Sequence, residues 1–424
     1  MKNKDELIKL IEYWQNSVDN DKYFNRSILN DIPTNSQEII DIVGVRRCGK
    51  SSILKLLIKA LDPKAVFLYI NFEDPFFIEN NNPQIIEVLI NTYKEYFDQG
   101  LTHVFFDEIQ EIKNWEKAVR KLRDGSKYKI YITGSSATLL SGELSTLITG
   151  RHKSYTAWPL NFAEFLSFSG VNIKNKKELV VQEEKIKKLF DVFLDIGGFP
   201  APVIGADSEL LKNYFFDILE KDIIARYDIR SKDTVKKLAL YLISNSGGLL
   251  SIESLKEPLN STFQQITDYL GYLKDAFLIV EVPQFSFSLK KQSKALKKYY
   301  AIDTGLAKNV AYKFSEDKGK MLENLVLLEF LKAGKDVMYY KTSNNYEVDF
   351  VLKEKNRLNQ LIQVSWTLSD SKTKSREIRS LLGAMDELKL KDAFIITYDE
   401  EDIVESVDKK IYVIPAIKFF TRSL

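Results

Sequence analysis

Residues 44–52 read Gly44-Val45-Arg46-Arg47-Cys48-Gly49-Lys50-Ser51-Ser52, and the stretch satisfies the phosphate-binding pattern G-x-x-x-x-G-K-[ST] in full. Each fixed position has a physical task. The two glycines let the backbone turn tightly, so that successive N–H groups between Gly44 and Ser52 face phosphate oxygens. Lys50 supplies a point charge near the β and γ phosphates, and the Ser51 hydroxyl can ligate Mg²⁺. Upstream, Ile39-Ile-Asp-Ile-Val43 is a short β-branched run suited to a buried parallel strand. Downstream, Ile53, Leu54, Leu57, Ile58 and Leu61 recur at helical spacing. The loop therefore opens a helix, where free amides and the helix dipole favour anions. Strand, loop and helix together point to a bound nucleoside triphosphate.

A P-loop needs a second strand carrying carboxylates for the metal. Thr102-His-Val-Phe-Phe-Asp107-Glu108 is such a strand, apolar and ending in two acids. Asp107 is expected to hold Mg²⁺ through water, and Glu108 to orient and deprotonate the attacking water. Between loop and acids lies another strand, Ala65 to Glu73, and a helix around Pro83 to Tyr96. An extra strand inserted there is expected to separate the P-loop strand from the acidic one, the layout of additional-strand ATPases. Next, Lys129-Ile-Tyr-Ile-Thr133-Gly-Ser135-Ser136 reads as a strand lying between the two. Thr133 or Ser135 could bond the γ-phosphate or the lytic water as a sensor; a plain polar turn explains either hydroxyl equally well. Arg120, Arg123 and Arg151 are open choices for a cation acting on the transferred phosphoryl group, within one subunit or across a homo-oligomer. Cys48 reads as an incidental small side chain.

Composition sets the frame. At 424 residues the chain exceeds one ordinary core, so two or three domains are expected. A net charge of +2 argues against a protein coated by polyanion, while leaving room for local basic patches. One cysteine excludes an internal disulfide, and two histidines argue against a zinc site. Met1-Lys-Asn-Lys-Asp-Glu has no apolar signal core, and no run approaches the ~20 apolar residues of a membrane span. A cytoplasmic location without a membrane partner follows as the expectation.

The ordered words Gly44 to Ser51, Phe106-Asp-Glu-Ile-Gln-Glu111, Trp115, Ile132-Thr-Gly-Ser-Ser136, Gly150-Arg151, Pro159 to Phe165 and Gly197-Gly-Phe-Pro200 resemble the AAA-like archaeal and bacterial ATPases of the additional-strand class. The resemblance covers about residues 24 to 230. It implies ATP binding and hydrolysis and puts Arg151 first among the arginines. Gly247-Gly, Tyr299-Tyr-Ala-Ile-Asp303-Thr-Gly-Leu, Gly319-Lys-Met-Leu-Glu323-Asn and Glu347-Val-Asp349-Phe resemble the uncharacterised domain fused behind such ATPases.

Residues 181 to 230 are charged and helix-compatible, as a small lid would be. From Asp233 the spacing predicts helices over Val235 to Ser246, Ser251 to Lys256 and Thr262 to Ala276. A strand, Phe277 to Val282, and a lysine-rich turn before the strand Tyr299 to Ile302 complete a winged helix. Thr262, Gln264, Gln265, Thr267 and Tyr272 could face a DNA groove, and Lys290, Lys291, Lys294, Lys297 and Lys298 could contact duplex phosphates. A solvated hairpin tip is the alternative.

The tail has a helix, Met321 to Lys332, containing Glu323. Strands follow at Asp336 to Tyr340, Tyr346 to Leu352, Leu361 to Trp366, Ala393 to Tyr398 and Ile411 to Pro415. This order resembles the restriction-endonuclease-like fold, whose active members use an Asp and then Glu-x-Lys. Asp349 is present, but Gln363 and Ser365 stand at the other two positions, so a nuclease-like domain without cleavage is expected. Glu323 and Asp349 would hold one ion weakly. The fold class is thus α/β. Residues 1–170 form a P-loop core with a parallel sheet of the additional-strand type, 171–230 a helical lid, 231–312 a winged helix and 313–424 an endonuclease-like α/β domain. The leading function is an Mg²⁺-dependent ATP-hydrolysing switch acting on DNA; the alternatives are an ATP-binding scaffold with little turnover and an ATP-regulated nuclease.

Overall fold

The computed structural model describes residues 4–19, 23–125, 127–135, 152–173, 175–311, 317–354 and 357–421. The chain divides into two compact units, Met1–Trp158 and Pro159–Leu424.

The first unit is built on five parallel strands, β1 (Ile39–Val43), β2 (Val66–Asn71), β3 (Leu101–Asp107), β4 (Lys129–Gly134) and β5 (His152–Thr156), in the order β2-β3-β4-β1-β5. All five β1 residues are buried, as a strand in the middle of a sheet covered by helices requires. Its one acid, Asp41, accepts a hydrogen bond from Ser154 Oγ of β5 at 2.6 Å, and burial pushes its carboxyl up. The helices are α1 (Lys4–Asn16), α2 (Lys50–Lys59), α3 (Phe76–Glu79), α4 (Gln84–Tyr96) and α5 (Trp115–Asp124). Ile53, Leu54 and Leu57 of α2 are at most 1% exposed. Each contributes roughly 1.5–3 kcal/mol of burial, so packing more than intrinsic propensity holds this ten-residue helix and the loop before it.

One expectation needs correction. The strand inserted in sequence between loop and acids, β2, does not separate them; it lies at the sheet edge beyond β3. The intervening strand is β4 alone, so β1 and β3 each pair with β4.

In the second unit, α6 (Phe162–Phe168), α7 (Lys176–Val181), α8 (Glu183–Ile196), α9 (Pro200–Gly205) and α10 (Leu210–Asp217) lead into wider π turns over Ile218–Ala225. Then come α11 (Lys232–Ser244), β6 (Gly248–Leu250), α12 (Ile252–Leu255), α13 (Phe263–Asp275), β7 (Ile279–Val282), α14 (Leu289–Lys294), β8 (Lys297–Ala301) and α15 (Thr304–Val310). The expected two-stranded ribbon is a three-stranded antiparallel sheet, β6-β8-β7, because Gly248–Leu250 adds a strand. Asp303 ties this region to the preceding helices: its carboxylate accepts the Gly198 N–H at 2.7 Å and the Leu306 N–H at 2.8 Å. A Cβ at Gly305 would lie 2.1 Å from the Ile196 carbonyl oxygen, so only glycine allows the approach. The Gly197-Gly and Asp303-Thr-Gly words are therefore two sides of one packing joint.

The remaining strands, β9 (Asp336–Lys341), β10 (Glu347–Glu354), β11 (Arg357–Val364), β12 (Asp392–Thr397), β13 (Asp402–Ser406) and β14 (Lys409–Pro415), form a six-stranded mixed sheet in the order β13-β14-β12-β11-β10-β9. Helix α16 (Lys318–Lys332) precedes it, α17 (Ser371–Leu388) joins β11 to β12, and α18 (Ala416–Phe420) ends it. Val351, Leu361, Leu381, Met385 and Ile395 fill the core beneath α17. No helix among the described residues is long and apolar enough to cross a membrane.

Candidate nucleotide site

The loop after β1 carries its glycines where geometry demands them. Gly44 sits at φ +154°, and a Cβ there would come within 2.1 Å of the Ala157 carbonyl oxygen. Gly49, at φ +97°, is the residue before α2, so the loop enters the helix through a conformation that side chains resist. Lys50 is 3% exposed, and its ammonium donates to the carbonyls of Gly44 at 3.2 Å and Val45 at 3.5 Å. It also pairs with Glu108 Oε1 at 3.3 Å. Arg46 extends from the loop to Glu73 at 2.7 Å. Burial pushes the Cys48 thiol up, which keeps it a neutral filler as expected.

The acids arrive from the end of β3. Asp107 is fully buried; one oxygen accepts the Thr133 hydroxyl at 2.5 Å, the other Tyr69 OH at 2.9 Å and Asn71 Nδ2 at 3.2 Å. The Ser51 hydroxyl also bonds this carboxylate, which brings both expected metal-side groups together. Burial, reinforced by Glu108, raises the Asp107 carboxyl above its ordinary range. Glu108 adopts a left-handed backbone conformation at φ +50°. Burial acts to raise its carboxyl, but Lys50, Gln110 and Arg46 more than offset that and hold it low. The pair is thus split by environment, with Glu108 the more readily ionised.

Thr133 occupies the position the sequence pointed to. Its hydroxyl donates to Asp107 and accepts the Glu108 N–H at 2.9 Å, bridging both acids from β4. Ser135 is buried just beyond β4. Ser52 lies in the first turn of α2, and Val45 is buried in the loop. Arg151 lies outside the described residues, as do Ser136 and Gly150. Of the other arginines, Arg120 pairs with Asp124 at 3.8 Å and Arg123 with Glu38 at 3.4 Å.

Sequence reasoning missed three contributors. Arg26 donates to the Cys48 carbonyl at 3.0 Å and the Trp158 carbonyl at 2.7 Å, bracing the loop. Nothing local marks Arg26, because its partners are far along the chain. Tyr69 was read only as a strand residue, although its hydroxyl reaches Asp107. Gln110 donates to Glu108 Oε2 at 2.6 Å, and its place two residues after Glu108 was the available signal.

The lysine-rich segment departs from expectation. Leu289–Lys294 is a short helix, not a turn, and Lys297 and Lys298 belong to β8. Lys290, Lys291 and Lys294 are exposed, whereas Lys297 pairs with Glu281 at 2.9 Å. Lys298 leaves the phosphate-contact set altogether: it is 2% exposed and bonds Glu347 at 2.9 Å, Glu323 at 3.1 Å and Asp349 at 3.6 Å. On α13, Thr262 is the N-cap, accepting from Gln265 N–H at 3.2 Å, and Tyr272 stacks on Tyr227 at 3.8 Å. Thr262, Gln264 and Thr267 are exposed, and Gln264 and Thr267 also bond within the helix, to Asp268 and to the Phe263 carbonyl.

In the C-terminal sheet, Asp349 and Gln363 face each other across β10 and β11. The Asp349 N–H donates to Gln363 Oε1 at 3.2 Å, and the Val364 N–H to Asp349 Oδ2 at 2.9 Å. Both groups line a cavity of about 410 Å³ with Glu323, Glu347, Arg376 and Glu377. No group of three His, Cys, Asp or Glu able to hold a metal occurs among the described residues. Glu323 and Asp349, expected to hold one ion weakly, both face the Lys298 ammonium, at 3.1 and 3.6 Å.

Residues 36–166 match the family described as AAA domain; residues 187–317 match a domain of unknown function, DUF8612, and residues 318–419 another, DUF4143. The chain is 36% identical over 423 residues to the uncharacterized protein MJ1544 of Methanocaldococcus jannaschii, covering 95% of this chain and 91% of that protein. An uncharacterized protein of Haemophilus influenzae is 31% identical over 388 residues, 88% of this chain and 92% of the relative. Among solved structures, Aeropyrum pernix Orc1 in complex with DNA aligns with a TM-score of 0.30 and 12% identity, covering 78% of this chain and 94% of that one. AMPPCP-bound DnaA of Aquifex aeolicus aligns at 0.25 and 13%, covering 62% and 86%. The P-loop of this chain thus falls within its AAA match, ahead of its two domains of unknown function, and the chain belongs to the family of MJ1544 and its Haemophilus relative.

Proposed function

We propose that the protein binds Mg·ATP at its first unit and hydrolyses it, using the cycle as a conformational switch. The observation that carries this reading is the convergence of Lys50, Ser51, Asp107, Glu108 and Thr133 where β1, β3 and β4 end. Main-chain amides of residues 44 to 52 would cradle the phosphates, and Lys50 would leave its carbonyl and carboxylate partners for the β and γ oxygens. Mg²⁺ would be held by Ser51 and, through water, by Asp107, and would neutralise charge on the triphosphate. A Mg²⁺ site of this kind takes one or two protein ligands plus phosphate and water, which suits a site without a three-residue ligand cluster. Glu108 would take a proton from the attacking water as the β–γ bridging bond breaks. Arg151 is assigned as the cation on the departing charge, within one subunit or between two.

Phosphate release from Mg·ATP tests the reading, with Lys50→Ala as the control. We expect saturable binding and turnover in the unaltered protein and at least a ~100-fold loss of affinity in the variant, since a buried charge and its phosphate contact go together. Tight binding with no turnover would leave the ATP-binding scaffold, and no binding would end the proposal.

We also infer that α11–α13 with the β6-β8-β7 sheet act as a winged helix on duplex DNA, through Lys290, Lys291 and Lys294. These exposed lysines offer phosphate contacts without sequence reading. Replacing all three by Ala should lower the slope of log affinity against log salt by roughly 2–3. An unchanged slope would remove this segment from the contact. The C-terminal sheet, with α16 before it and α17 between β11 and β12, is read as endonuclease-like and without cleavage, because Gln363 is neutral and turned to a backbone amide.

A further inference from the structure

We propose that Gln110 is a positioning residue for hydrolysis, holding Glu108 through its side-chain amide so that the carboxylate is aimed at the attacking water. The inference rests on the hydrolysis reading above and adds to it a residue in neither the P-loop nor the acid pair. Two observations carry it. First, both Glu108 oxygens are engaged, Oε1 by the Lys50 ammonium at 3.3 Å and Oε2 by Gln110 Nε2 at 2.6 Å. Triphosphate would draw Lys50 away and free Oε1, whereas nothing about the phosphates competes for Gln110. One contact is released by substrate and the other stays, so Glu108 keeps its orientation at the moment it becomes a base.

Second, Gln110 Oε1 is buried and has no hydrogen-bond partner. The amide cannot be turned round to relieve this, since two acceptors would then meet at 2.6 Å. A buried carbonyl left without a partner is destabilising, and native structures keep one only for a reason. The two heteroatoms of one amide share a carbon, so Oε1 lies within about 5 Å of Glu108 Oε2. A water bonded to the carboxylate is thus within reach of this acceptor, which would take the hydrogen that Glu108 does not. The left-handed backbone at Glu108 and the short helical turn Ile109–Glu111 after it bring residues 108 and 110 onto the same side.

The test compares the full-length protein with Gln110→Ala and the near-isosteric, uncharged Gln110→Met. Titration calorimetry with Mg·ATP and single-turnover phosphate release are measured on each. We expect nucleotide affinity within about twofold of the parent and a release rate lower by ~10–100-fold in both variants. Because Gln110→Met keeps the length of the side chain, adds no charge and loses the amide, its loss separates orientation from packing. Gln110→Ala placed in a Glu108→Gln background should slow release no further, as residues acting as one unit are non-additive. Parental release rates in both variants, with Glu108→Gln still inactive, would overturn the role of Gln110 alone. Binding without turnover in the parent would instead overturn the hydrolysis reading and this inference with it. If Gln110→Ala does not fold, the near-isosteric variant carries the same comparison.

Discussion

Glu108→Gln should bind Mg·ATP with near-parental affinity and release phosphate at least ~100-fold more slowly, the usual scale for loss of a positioned base. The reasoning starts from the geometry around Lys50. Its ammonium has two carbonyl partners, Gly44 and Val45, besides Glu108, so removing the carboxylate charge does not strand it. The amide of a glutamine keeps the shape and can still meet Gln110 through its oxygen. Asp107 and Ser51 are untouched, and Thr133 continues to hold the Asp107 carboxylate and the residue-108 amide. What is lost is the carboxylate that Lys50, Gln110 and Arg46 hold low and that is able to accept a proton. A parental rate of phosphate release in this variant would place the base elsewhere.

Lys298→Met should destabilise the second unit by about 3–5 kcal/mol, the typical cost of leaving buried charge uncompensated. Three carboxylates, from α16 and β10, share this single ammonium, and Tyr300 OH also bonds Glu323 at 2.6 Å. Burial already pushes the Asp349 carboxyl well above its usual range, with Glu323 adding to the rise and Lys298 opposing it. Without the ammonium the Asp349 carboxyl rises further. A carboxyl whose folded pKa exceeds its unfolded value of ~4 binds more protons folded than unfolded, so stability falls as pH climbs through that window. The deficit should therefore be largest at neutral pH and narrow as pH approaches ~4. Denaturant melts at pH 4, 5.5 and 7 decide it; a deficit independent of pH would mean that the methionine merely packs badly. The same arrangement accounts for the absence of cleavage proposed for this domain: the carboxylates that would face a metal already face Lys298.

The nucleotide site was largely legible because its information is local. A nine-residue loop, one β-branched strand and one strand ending in two acids each announce themselves through spacing, while Thr133 and Ser135 stayed open choices until packing put the Thr133 hydroxyl between the acids. Strand order was harder. The place of β4 between β1 and β3 was read correctly, but where β2 goes depends on pairing between distant segments, and it went to the edge. Gln110 sat in plain view, yet its donor points to Glu108 only because of the left-handed turn between them.

Lys298 shows the limit most clearly. Along the chain it belongs to a run of lysines that reads as solvated charge, and for Lys290, Lys291 and Lys294 exposure agrees with that reading. Its own fate depended on carboxylates that lie 25 and more residues downstream and that only the packing of β8 against α16 and β10 brings within 4 Å. The amino-acid sequence by itself determined the phosphate loop, its acids and the strand and helix periods, since these rest on neighbours a few residues apart. The folded structure alone decided which strand goes to the sheet edge, which lysine is buried and which glutamine bonds Glu108, because strand pairing, burial and ion pairing are set by residues that meet only in space.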